Sequence, residues 1–162
     1  MIPETLQSAL APLTPFLILS LGGLLILILD AVWPRSRRFD AGLAGVPLAL
    51  AALVAFIHQW RAPRVFTPLE GMYLADTFGA FIGVIVCVSL LLTVLLSQDY
   101  LSQMGRYRGE YFALLFFSAS GMVLFAAATE LLSLFLGLEL LSFPVYLLSG
   151  YLRRDSKSNE AG

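Results

Sequence analysis

The chain has 162 residues, of which 59% are hydrophobic and only 13% charged, with a net charge of −1. Soluble domains carry about 25% charged residues, so this composition, with a mean hydropathy of +0.84, excludes an ordinary soluble domain and points to a membrane protein. The near-zero charge leaves no basic field to attract nucleic acid.

The first apolar segment runs from about Leu13 to Trp33. Its leading flank, Met1 to Pro12, has no Lys or Arg, and Arg35, Arg37 and Arg38 follow it. A cleavable signal has the reverse arrangement and a shorter core, so this reads as an uncleaved spanning helix. Asp30 in its last turn reads as an interfacial acid that snorkels toward those arginines. The second segment, about Ala41 to Trp60, is rich in small residues, with Gly42 and Gly45 at its start, which suits close helix packing. His58, the only histidine, sits at the far end and reads as interfacial.

Arg61 to Asp76 is polar and broken by Pro63, Pro68 and Gly71, as an extramembrane loop would be. The third segment spans about Thr77 to Ser97. It holds the sole cysteine, Cys87, which reads as a small buried hydrophobe. The pattern predicts a loop over Gln98 to Gly109, with Asp99, Arg106 and Arg108. The fourth segment, about Glu110 to Ala128, has a weakly polar patch, Ser118, Ser120 and Gly121, suited to helix contact. Only Thr129 and Glu130 separate it from the fifth. A tight helical hairpin is expected there, with Thr129 as cap and Glu130 complementing the helix dipole.

The fifth stretch reads ATELLSLFLGLELLSFPVYLLSGYLRR from Ala128. It is long enough to cross a bilayer and carries Glu139 near its middle. Insertion scales put an acid at the bilayer centre at a cost of about 2.5–3.5 kcal/mol, which singles out Glu139 as a functional candidate. Glu139, Ser142, Tyr146, Ser149 and Gly150 share one helical face. That face is expected to meet protein or trapped water, since lipid offers it no hydrogen bonds. Pro144 cannot donate to the carbonyl of Leu140, so a kink and a freed carbonyl beside the acid are expected. An acid, the Ser142 and Tyr146 hydroxyls and a loosened carbonyl are parts of a proton path. The competing reading makes Glu139 a protonated, hydrogen-bonded packing residue between helices. No span contains a lysine, and Lys157 lies in the tail, so a basic partner for Glu139 must come from outside this chain.

Eight basic residues follow the odd-numbered segments and two, Arg61 and Arg64, lie on the opposite side. By the positive-inside rule the N-terminus is outside and the C-terminus cytoplasmic, after five spans.

From about Glu110 onward the chain resembles a known family. The core FLGLELLSFPVY, followed by a basic turn and SNEA, is similar to the fifth-helix region of the antiporter-like membrane subunits of complex I, the subunit N group above all. EYFALLFFSASGMVLFAAATE is similar to its fourth helix, and LLILILDAVWP resembles its first. The resemblance implies an all-α subunit of about fourteen spans built on two inverted five-helix repeats. Residues 1–109 would then be an N-terminal three-helix segment, 110–152 a hairpin opening the first repeat, and 153–162 a truncated polar cytoplasmic tail. It implies a proton-translocation role for Glu139 and a lysine partner in a broken seventh helix, which this chain lacks. It implies a translocase subunit, inactive alone, in a bacterial inner membrane among other membrane-arm subunits and lipid. NADH, FMN, iron–sulfur clusters and quinone would belong to partner subunits. This chain shows no metal-ligand spacing, cysteine set or G-x-G-x-x-G of its own. A multi-subunit cation/proton antiporter shares the glutamate and is the rival within the superfamily. A structural membrane subunit with no proton role is the rival outside it.

Overall fold

The computed structural model describes residues 11–32, 41–61, 65, 67, 71–103 and 109–151. A short 3-10 turn, Ala11–Leu13, leads into α1, Thr14–Val32. There follow α2, Ala41–Arg61; α3, Thr77–Gln103; α4, Gly109–Ala127; and α5, Leu131–Ser149. All five are long and apolar enough to cross a membrane. In hydrocarbon every backbone N–H and C=O needs a partner inside the protein, and the helix supplies them within each segment. Among the described residues the fold is all-α, as expected from the sequence. Outside the helices, among the described residues, one isolated antiparallel bridge joins Tyr73 and Ala128.

Helices α1 to α4 form a closed ring in which each packs on its chain neighbours and α1 packs on α4. Its core is Leu19 and Ile26 from α1, Ala49, Ala52 and Phe56 from α2, Val86, Cys87, Leu90, Val94 and Leu101 from α3, and Phe112, Phe116 and Val123 among others from α4. Cys87 lies fully buried there as a free thiol. Small residues set the spacing. The ring of Phe56 lies where a side chain at Gly83 would stand. Helix α5 contributes nothing to this core and packs against α4, outside the ring.

The last turns of α3 differ from expectation. The predicted loop over Gln98 to Gly109 begins later, because the helix runs on to Gln103. SQDYLSQ holds no Gly or Pro to stop it, and its apolar side is anchored. Leu101 is buried, and the Ser97 hydroxyl bonds the Tyr111 hydroxyl at 3.0 Å. At the same end Tyr111 meets Tyr151 edge-on at 5.4 Å, and buried Gly109 leaves room for the side chain of Asp30.

At the opposite end, residues 71–76 form a strap. The Leu74 N–H donates to the Ala127 carbonyl at 2.8 Å, and the Thr129 hydroxyl donates to the Gly71 carbonyl. Gly71 has φ +95°, the left-handed region open to glycine. Asp76 then accepts the Gly79 N–H at 2.7 Å and caps α3. Tyr73 is buried with Leu13, Ala75 and Ala127 and lies against the ring of Phe16. Burial, with the Asp76 carboxylate adding to it, pushes the Tyr73 phenol up to about 12. The start of α1, the strap and the α4–α5 turn thus share one end of the bundle, as alternating spans require. Arg35, Arg37, Arg38, Arg64, Arg106, Arg108, Arg153, Arg154 and Lys157, which carry most of the orientation argument, lie outside the described residues.

Candidate functional site: the acid of the fifth helix

The turn that delivers α5 is tight, as expected, but its cap is not Thr129. That hydroxyl is already engaged by Gly71. Glu130 is the N-cap, with extended backbone at φ −135°, ψ 162°. The Ser133 hydroxyl donates to the Glu130 carbonyl at 3.0 Å and takes the Glu130 N–H at 3.4 Å.

From this start α5 presents two opposite faces. Ser133, Gly137 and Pro144 are buried against α4. A β-carbon at Gly121 of α4 would stand 2.5 Å from the carbonyl carbon of Leu140, and one at Gly137 of α5 would stand 2.6 Å from the nitrogen of Phe125. Each glycine therefore seats the backbone of the other helix, an approach that larger residues forbid. The patch expected at Ser118, Ser120 and Gly121 is thus a helix contact. Ser118 and Gly121 reach across to α5, while Ser120 donates to the Phe117 carbonyl of its own helix. Gly137 was not singled out from the sequence. A lone glycine in the middle of a leucine-rich span was its only signal.

Glu139 lies on the other face. It is exposed, as are Leu132, Phe135, Leu136, Phe143 and Tyr146 around it, with Phe135, Phe143 and Tyr146 at 54%, 60% and 64%. No described residue hydrogen-bonds or pairs with it. The packing residue of the competing reading would need a helix partner, and α4 is not that partner. Ser142 is half-buried, and Tyr146 points outward on the Glu139 side. Ser149 donates to the Tyr146 carbonyl at 2.7 Å. The five polar positions share a face as the spacing predicts, and none of the four ring helices covers it.

Pro144 packs toward α4, so the opened turn lies on that side of the helix. The Leu140 carbonyl carbon sits beside Gly121, away from the acid rather than next to it. The next carbonyl, that of Leu141, accepts the Ser118 hydroxyl at 3.2 Å.

Glu139 is also the only charged residue of the described spans that is remote from a helix end. Asp30, Arg61 and Asp99 lie in closing turns, and Glu110 in an opening one. His58 is exposed in the last turn of α2. Among the described residues no three of His, Cys, Asp and Glu come together to hold a metal ion.

No protein-family model matches the chain. Known proteins do. The NADH-quinone oxidoreductase subunit N of Myxococcus xanthus (strain DK1622) is 33% identical over 163 residues, which cover 99% of this chain and 31% of that protein. The chain is homologous to subunit N. The subunit N of Rhizorhabdus wittichii is 34% identical over 98% of this chain and 33% of its own length. The NAD(P)H-quinone oxidoreductase subunit 2 of Gloeothece citriformis is 34% identical over 85% of this chain and 27% of its own. The chain therefore spans about a third of the length of the subunit N relatives it matches.

Proposed function

We propose that this chain belongs to the membrane arm of a proton-translocating NADH–quinone oxidoreductase, and that Glu139 takes part in moving protons there. The observation that carries the reading is the match to subunit N along nearly the whole chain, together with one mid-span acid on the outer face of α5. A carboxyl group held at bilayer depth is expensive, and proteins keep such groups for ion and proton pathways. Ser142 and Tyr146, on the same face, extend the polar track along the helix.

In this reading the redox chemistry, with NADH, FMN, iron–sulfur clusters and quinone, belongs to partner subunits. This chain supplies helices and a proton-bearing side chain, in a bacterial inner membrane, with the N-terminus outside as the loop charges argue. The bare face around Glu139 is where further protein would sit, bringing the lysine that no span of this chain contains. Such a partner stabilises the carboxylate when near and releases its hold when it moves away.

The test is Glu139→Gln in the assembled complex. NADH-driven proton pumping should fall while assembly stays normal. Unchanged pumping with normal assembly sinks the proton reading. Because Glu139 is exposed on this chain, a contact role toward a neighbouring helix is the second reading. It predicts that Glu139→Ala impairs assembly while Glu139→Gln pumps normally.

A further inference from the structure

Several hydroxyls of these helices bond within their own helix, whereas Ser97 and Ser118 reach across to another helix, and the reach of Ser118 bears on Glu139. Ser20 donates to the Phe16 carbonyl, Thr93 to Ser89, Ser120 to Phe117 and Ser149 to Tyr146, each within its own helix. Such back-bonding is the usual fate of a helical hydroxyl. Ser118, itself buried, instead reaches across to α5 and donates to the Leu141 carbonyl at 3.2 Å. The place it reaches is the one weak turn of that helix. Pro144 has no N–H for the Leu140 carbonyl, and its ring crowds that turn. One helical turn before Ser118's partner stands Gly137, and three residues after Ser118 stands Gly121, pressed on the peptide joining Leu140 and Leu141.

We infer that Ser118 is a positioning residue for Glu139: with Gly121 it grips the proline-opened turn of α5 and thereby fixes how the acid-bearing face is aimed. This rests on the proposed role of Glu139 only for its functional consequence. Without the grip, the turn between Leu140 and Val145 has lost one hydrogen bond to the proline and a second to the mutation. The helix segment on either side can then bend or rotate, and Glu139 and Tyr146 no longer hold a common outward direction. A threonine at this position keeps the same hydroxyl donor.

The experiment is amide hydrogen exchange, followed by mass spectrometry, on the full chain in lipid nanodiscs, comparing wild type with Ser118→Val, Ser118→Ala and Ser118→Thr. The valine and alanine variants should speed exchange over residues 142–148 by roughly fivefold, the size expected for losing one hydrogen bond. Residues 131–138 should be unaffected, and threonine should restore slow exchange. If 142–148 exchange alike in all four proteins, or if 131–138 accelerate to the same extent, the inference is overturned. In the assembled complex, Ser118→Ala should lower NADH-driven proton transport and Ser118→Thr should recover it. If transport responds to neither Ser118→Ala nor Glu139→Gln while exchange responds as stated, the grip stands and the proton reading falls.

Discussion

The backbone nitrogen of Phe125 lies against Gly137 so closely that a β-carbon on the glycine would stand 2.6 Å from it. Backbone cannot yield as a flexible side chain can. Gly137→Ala is therefore expected to push α5 off α4, at a cost of about 1–3 kcal/mol, the usual range for overpacking. Denaturant unfolding in detergent micelles would read the loss. Gly22→Ala is the control, since its nearest neighbour is a leucine methyl at 3.4 Å, and it should cost far less.

The strap yields a second expectation. Thr129→Val removes the hydroxyl that holds the Gly71 carbonyl and should cost about 0.5–1.5 kcal/mol. Gly71→Ala places a side chain at φ +95° and should cost about 1–2 kcal/mol. Thermal unfolding of the two single variants and the double variant tests whether they act through one contact. If they do, the double variant loses less than the two losses added.

Tyr73 gives a pH dependence. Its folded pKa of about 12 lies above the ordinary tyrosine value of about 10. The folded chain thus binds more protons than the unfolded chain between those two values. Its contribution is fully present below about pH 10 and is lost as pH rises toward 12, an effect of about 2–3 kcal/mol at most. Tyrosinate absorbance should show one late-titrating phenol that disappears in Tyr73→Phe. The Phe variant should also flatten the fall in stability over that alkaline window.

At the other end, Ser97→Ala and Tyr111→Phe each delete the 3.0 Å hydroxyl pair. Each should cost about 1 kcal/mol, and together scarcely more than either alone. A fully additive double variant would show that the two hydroxyls do not depend on one another.

The sequence was legible where lipid leaves little choice. Five long apolar runs mean five helices, and their boundaries at Ala41, Thr77 and Ala127 fall within a residue or so of expectation. The shared face of Glu139, Ser142 and Tyr146 follows from helical spacing alone. Contacts between distant residues were not legible. Nothing local in Thr129 says that its hydroxyl goes to Gly71 rather than to α5. Gln98 to Gln103 looked like a loop because it is polar, whereas helical hydrogen bonds continue where no breaker stops them. The direction of the freed carbonyl was read wrongly. At 3.6 residues per turn, Pro144 stands about 140° around the helix from Glu139, so the spacing itself places the opened turn off the acid's face, and Gly121 shows that it meets α4 there.

Helix α5 stands outboard of the ring, with α4 as a wall between Glu139 and the bundle's interior. The acid therefore faces away from the core that the other four helices enclose. If Glu139 carries protons as proposed, its conduit runs along the outer flank of α5, bounded on the far side by a neighbouring chain.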